Sequence, residues 1–164
     1  MSNALVSIKG TNGGNELIQL VSFNLDQEEY GVEVLKVREI IRMNTITHMP
    51  NTPHYVEGII NLRGKVIPII SMRKKFGLNL TDNNSHTRIM IMDIGGELMG
   101  FIVDAVSEVI RISGSEIQPS PSVAAGGLDQ DCIAGVINMS ERLLVLLDLD
   151  RMFTQDEKQY FDSI

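Results

Sequence analysis

The residues able to do chemistry are few in this chain, and their spacing works against it. His48, His54 and His86 are the only histidines, and Pro50 and Pro53 keep the first two off a shared helical face. No metal-ligand spacing results, and they read as surface or loop residues. Asp148 and Asp150 resemble a carboxylate pair, yet Asp148 stands where a strand runs into a short helical stretch, a position that calls for an N-cap. The single cysteine, Cys132, lies in the apolar run CIAGVI and reads as a small buried hydrophobe. No phosphate-binding glycine loop, nucleophile elbow or His-Glu-x-x-His pattern occurs. The expectation is a protein that is not an enzyme, with no catalytic residue, no metal and no cofactor.

What must then carry function is surface, and composition narrows its partners. A net charge of −7 argues against nucleic acid, since phosphate binding draws its affinity from clustered Lys and Arg, and Arg73-Lys74-Lys75 is the longest basic run. No window approaches the roughly 20 apolar residues of a membrane span, and the first ten residues lack a signal-peptide core. A cytoplasmic protein without direct membrane insertion is expected, and one cysteine suits a reducing compartment.

The chain says the same thing twice. Residues 28–42, EEYGVEVLKVREIIR, recur 69 positions on as ELMGFIVDAVSEVIR, with seven of fifteen residues identical. Residues 58–76, GIINLRGKVIPIISMRKKF, recur 77 positions on as GVINMSERLLVLLDLDRMF, with Gly58/Gly135, Ile60/Ile137, Asn61/Asn138 and Phe76/Phe153 identical. Two copies are too few for a solenoid and imply two similar modules packed together.

Short Val, Ile, Leu and Phe runs between turn residues predict an all-β chain, with strands at 17–25, 29–34, 36–42, 58–62, 65–70, 87–94, 97–103, 106–111, 133–139 and 143–147. About five strands per copy suits a small SH3-like or OB-like barrel. Gly95-Gly96 marks a hairpin, and Ser71 and Asp148 are equivalent N-caps before one helical turn. Residues 1–15 read as a flexible tail and 16–155 as one domain, its first barrel at about 16–80 and its second at about 85–155. Ser113–Gly127 is the longest loop, and 156–164 form a tail or helix.

Residues shared by both copies serve the fold, whereas those particular to one copy are free for contacts. Arg63-Gly64 becomes Ser140-Glu141, so the hairpin does not need an arginine. Arg63 is either a solvated turn charge or a group whose five donors engage a partner's carboxylate or carbonyls. In VEVLKVREII the alternation breaks at Leu35, leaving apolar residues on both faces. Some of Val34, Leu35 and Val37 then lie at the module interface, beneath a loop, or open to another protein. Glu39, repeated as Glu108, reads as a shared structural or surface charge.

Taken together, LVSFNLDQEEYGVEVLKVREII, MPNTPHYVEGIINLRGKVIPIISMRKKFG, GFIVDAVSEVIRI and CIAGVINMSERLLVLLDLDRMF resemble the CheW family of bacterial chemotaxis coupling proteins, over residues 16–155. GIINLRGKVIPII is the most specific segment. The resemblance implies two five-stranded SH3-like β-barrels around a shared hydrophobic core. It also implies a non-enzymatic adaptor joining chemoreceptor cytoplasmic tips to the regulatory domain of the histidine kinase CheA in membrane-associated arrays, with self-association in array rings as a further property. By motif match, receptor binding falls on Glu39, Gly58 and Arg63, with Gly100 and Val106 from the second barrel, and kinase binding on Val21, Val34 and Val37. A coupling protein of another chemosensory-like pathway would look the same. A small-ligand or oligonucleotide-binding β-barrel is the alternative from another class, disfavoured by 5% aromatics, no Trp and the acidic balance.

Overall fold

The strands alternate or run apolar according to whether one or both faces are covered, and this sorts them into two sheets. In a computed structural model the described residues are 16–119 and 132–162; the expected tail 1–15 and most of the long loop lie outside them. The elements are β1 (Leu17–Leu25), β2 (Glu28–Glu33), a 3-10 turn (Val34–Lys36), β3 (Val37–Arg42), β4 (Val56–Leu62), β5 (Lys65–Ser71) and the short helix α1 (Met72–Lys75). They continue with β6 (Arg88–Ile94), β7 (Glu97–Val103), β8 (Ala105–Ser113), a 3-10 turn (Gly114–Glu116) and β9 (Ile117–Gln118). The chain ends with β10 (Ile133–Met139), β11 (Arg142–Leu147), a 3-10 turn (Leu149–Arg151) and α2 (Gln155–Asp162). All ten expected strands are present within two residues of their expected ends. The unexpected β9 has two residues, too few to show a period.

The division into barrels differs from the one expected. One sheet has the order β8-β1-β2-β11-β10-β9 and the other β3-β6-β7-β5-β4. The chain therefore does not split near residues 80–85. Each SH3-like barrel takes the first two strands of one repeat and the later strands of the other, joined by parallel pairs, β2 with β11 and β5 with β7. We call β1, β2 and β8–β11 barrel one, and β3–β7 barrel two. The reason lies in the passages: the 3-10 turn after β2 and the bend at Asp104 after β7 each carry the chain into the opposite sheet instead of folding it back.

The two sheets match row for row. Across barrel two, Glu39, Ile91, Gly100, Ile69 and Gly58 stand opposite one another on successive strands. Across barrel one the row is Glu108, Ser22, Gly31, Leu146 and Gly135. Three apolar clusters result. Ile18, Leu20, Ile110, Ile112, Ile137, Leu144 and Leu146 fill barrel one, and Ile60, Ile67, Ile69, Ile89 and Ile91 fill barrel two. The third lies between the barrels and draws on both, from Val21, Phe23 and Val32 to Tyr55, Ile70, Met90 and Phe101. Helix α2 closes this layer, setting Phe161 edge-on against Phe153, and is capped by Thr154 and Glu157, which exchange backbone and side-chain hydrogen bonds.

Both passages between barrels are held by an ion pair. Arg73 of α1 grips Asp104 with Nε at 2.9 Å and Nη2 at 2.6 Å, while Asp104 also accepts from the amide of Asp26 at 2.7 Å. At the other passage Lys36 Nζ meets Asp150 at 2.7 Å, and Asp150 also accepts from the amide of Gly95 at 3.0 Å. Arg73 and Asp150 are equivalent in the repeat, so the two clasps have opposite polarity.

Burial pushes the Asp104 carboxyl up, but the hydrogen bonds from Arg73 and the Asp26 amide and the Arg73 charge outweigh it and hold the group below the usual carboxylate value. The folded carboxyl thus binds its proton less readily than the unfolded one, so the stabilisation is complete at neutral pH and is lost as pH falls below about 4. Asp104→Asn should cost about 2 kcal/mol at pH 7 in urea unfolding. The gap to the wild type should close towards pH 3; a gap constant across that range would contradict the clasp.

Candidate functional site

A turn that puts a charged residue in the left-handed region is the first local oddity in barrel two. Arg63 has φ 51° and Gly64 φ 88° in the tight β4–β5 turn, and the Gly64 amide donates to Asn61 Oδ1 at 2.8 Å. A residue with a Cβ is disfavoured there by about 1 kcal/mol. From this tip Arg63 reaches the β3 side chain of Glu39, Nη1 donating to Oε2 at 3.2 Å and Nη2 to Oε1. The pair joins the two edge strands of the sheet across the barrel seam. Beside it Thr47 and Ile59 exchange backbone hydrogen bonds, both 2.9 Å. Arg63 is 69% exposed and Glu39 33%, so the guanidinium stays within reach of a partner. The hydrogen bonds from Arg63 hold the Glu39 carboxyl below its usual value.

Barrel one repeats the pattern with different parts. Glu108, the counterpart of Glu39, accepts from Arg142 Nη2 at 2.9 Å, and Arg142 Nε lies 2.9 Å from Glu29. The corresponding tip, Ser140, also has positive φ, 63°, but carries no charge. The exposed cation at a hairpin tip is thus particular to barrel two.

The other expected site residues separate into those that build the fold and those that face out. Gly58 has φ 146°, and a Cβ on it would stand 2.2 Å from Thr47 O, so this glycine lets the segment after β3 pair with β4. Gly100 belongs to barrel two with Glu39, Gly58 and Arg63, not to the other barrel as expected. It faces the barrel interior, where a Cβ would meet Ile69 Cδ1 at 2.6 Å and Ile89 Cγ2 at 2.8 Å. Val106 alone of that set stands in barrel one, half-buried against the inter-barrel layer. Val21, expected at a kinase contact, is 4% exposed in the same layer and offers a partner nothing to touch. The cause is that β1 is covered on both faces. Val34 and Val37 are half-buried on the edge of this layer, and Leu35 between them is 82% exposed. Of the three readings open for this segment, packing at the module interface applies to Val34 and Val37, and outward exposure to Leu35.

The remaining candidates are accounted for locally. Asp148 accepts from the Asp150 amide at 3.1 Å as an N-cap, and Ser71 from that of Lys74 at 3.2 Å. His54 stands edge-on to Tyr55 with Nε2 3.3 Å from Lys74 O, and Cys132 is buried. Among the described residues no cluster of His, Cys, Asp or Glu could hold a metal ion. An open hollow of about 840 Å³ lies beneath residues 80–84, with its cations already paired, Arg73 to Asp104 and Lys74 to Glu57.

A family model described as a CheW-like domain matches residues 19–157. The chain belongs to the CheW-like family. It is 34% identical to the chemotaxis protein CheW of Rhizobium meliloti, over 97% of this chain and 99% of that one. It is 32% identical to the chemotaxis protein CheW of Klebsiella aerogenes, over 89% and 87%. Among solved structures it resembles the scaffolding protein TtCheW of Thermoanaerobacter tengcongensis, with a TM-score of 0.79 and 36% identity over 87% of this chain and 91% of that one. With the CheW-like fold comes the role of a chemotaxis scaffold, and two SH3-like barrels are present as expected, though with strands exchanged between the repeats.

The Arg73–Asp104 and Lys36–Asp150 clasps of the CheW-like domain were not foreseen. Their one signal in the sequence is the Arg73/Asp150 exchange between repeats, whose partners become visible only once the chain is known to cross between sheets.

Gly58→Ala should lose about 3 kcal/mol of stability through strain and overlap, against about 1 for Gly64→Ala, whose Cβ would enter open space. Equal unfolding midpoints would contradict the close approach to Thr47. Val21→Asp should lower Tm by about 10 °C or more, while Leu35→Asp shifts it by about 2 °C or less.

Proposed function

We propose that the chain is a non-enzymatic adaptor that couples chemoreceptors to the histidine kinase CheA. The observation that carries this reading is Arg63: exposed, absent from the second repeat, held at a left-handed turn tip and paired with a carboxylate it can exchange for another. On this reading a receptor's helical tip docks against barrel two at Arg63 and Glu39. Gly58 and Gly100 act there by shaping the strands, and Val106 by setting the edge of barrel one. The regulatory domain of CheA meets the passage around Val34 and Val37, with the exposed Leu35 as the apolar anchor. Val21 supports that surface from beneath.

An adaptor needs two separate surfaces on one molecule, and the two barrels supply them. Each contact can be modest, since an array of many copies gains strength through multivalency. Among the described residues no helix is long and apolar enough to cross a membrane. The proposed location is cytoplasmic, at the receptor tips, by recruitment alone.

The test is a three-component pull-down at near-physiological salt with this chain, a CheA-type kinase and a receptor cytoplasmic fragment. The wild type should bridge the two. Arg63→Glu should keep its fold and its kinase while losing the receptor, because an exposed pair contributes little to stability. A folded wild type that binds neither partner would overturn the adaptor reading, and loss of both partners in Arg63→Glu would remove Arg63 from the receptor surface.

A further inference from the structure

The buried methionines among the described residues are segregated. Met72, Met90, Met92, Met99 and Met152, each 4% exposed or less, all lie in the layer between the barrels. Among the described residues the buried side chains inside the two barrels are isoleucine and leucine alone, with the half-buried Met139 and Met43 packed at their margins. They differ in what they permit. Isoleucine is branched at Cβ and stiff at χ1, so an interior built largely from it holds one packing. Methionine is unbranched, with three rotatable side-chain bonds and a polarizable sulfur, and refills a changing gap with little loss of contact. Stiff interiors therefore flank a yielding layer.

The hydrogen bonding has the same division. The two sheets form separate ladders, and the described chain passes between them at two places, Val34–Lys36 and Asp104. Both passages are pinned by the clasps of opposite polarity, Lys36 with Asp150 and Asp104 with Arg73. The tie that α2 adds, Glu157 to Tyr55 and Lys75, reaches the same short helix as Arg73 and so falls at the second pin. Two pins define an axis, and the methionines occupy the layer that must rearrange as the barrels turn about it.

We propose that the two barrels turn against one another as near-rigid bodies about the two clasped passages, with the methionine layer repacking as they move. The use of such a motion rests on the adaptor reading: a change of receptor state at Arg63 on barrel two would then reach the Val34–Val37 passage and barrel one as a change of angle. The motion itself does not depend on that reading.

Methyl relaxation dispersion on the whole chain, labelled at methionine methyls and isoleucine δ1 methyls, tests it. The five buried methionines should show a common exchange on the microsecond-to-millisecond timescale, while Ile18, Ile137, Ile69 and Ile89 stay flat. Met90→Ile with Met92→Ile should reduce exchange at the remaining buried methionines by about threefold or more, with Tm within about 4 °C of wild type. Asp104→Asn, which releases one pin, should increase it. Flat methionine profiles in the wild type would overturn the proposal, as would equal exchange at the interior isoleucines, which would mean that the barrels themselves loosen. Adding a receptor cytoplasmic fragment separates the two ideas. Exchange that persists when the fragment does not bind leaves the hinge standing and removes the adaptor reading; binding with flat methionines does the reverse.

Discussion

The structure depends on one apolar layer that neither barrel owns. Among the described residues twenty buried ones form it, against seven inside barrel one and five inside barrel two, so more of this core lies between the barrels than within both together. A sheet of five or six short strands buries only its inner face within its own barrel, and each barrel completes its burial only by covering the other. The exchange of strands between the repeats follows from the same need. Parallel pairing of β2 with β11 and of β5 with β7 ties each half of the chain into both sheets, so neither repeat can complete a barrel without the other.

That constraint also decides where a partner can bind. With one face of each sheet turned to its own interior and much of the other turned to the shared layer, the central strands have little left to offer. Val21 illustrates this on β1 and Gly100 on β7. Besides single exposed strand residues such as Val66 and Val109, what remains are turn tips, seams and passages: Arg63 and Glu39 where the edge strands of barrel two meet, and Leu35 where the chain leaves barrel one. These are places where packing demands least, and Arg63 and Leu35 are not repeated in the other copy. The residues that the packing leaves free at these places are few, while the residues that position them are many and shared.

Much of this was legible in the sequence because strands and turns are local. Period-two runs bounded by turn residues located all ten main strands, and the duplication separated Arg63, present once, from the glycines present twice. Gly31 with Gly100 and Gly58 with Gly135 occupy matching positions in the two sheets, each pressed against a neighbouring strand. By the same test Val37 and Val106, alike in both copies, belong to the fold. What the sequence concealed was non-local. Nothing in a repeat states whether its strands close on themselves or on the other copy, since both arrangements bury the same residues. The barrel boundary, the placement of Gly100 and the burial of Val21 were all misplaced for that one reason. β9 escaped because two residues, Ile117 and Gln118, carry no period.

The strand exchange has a consequence for how the molecule is made. Barrel two is continuous from Val37 to Val103 and can close while synthesis is still under way. Barrel one is split around it: β1 and β2 leave the ribosome first, β1 must wait for β8, and β2 for β11 near the end of the chain. Long-range and parallel pairings form slowly, and unpaired strands are exposed to aggregation in the interval. A ribosome halted before Arg142 would thus hold a closed second barrel beside a first one in which β2 still lacks its partner β11.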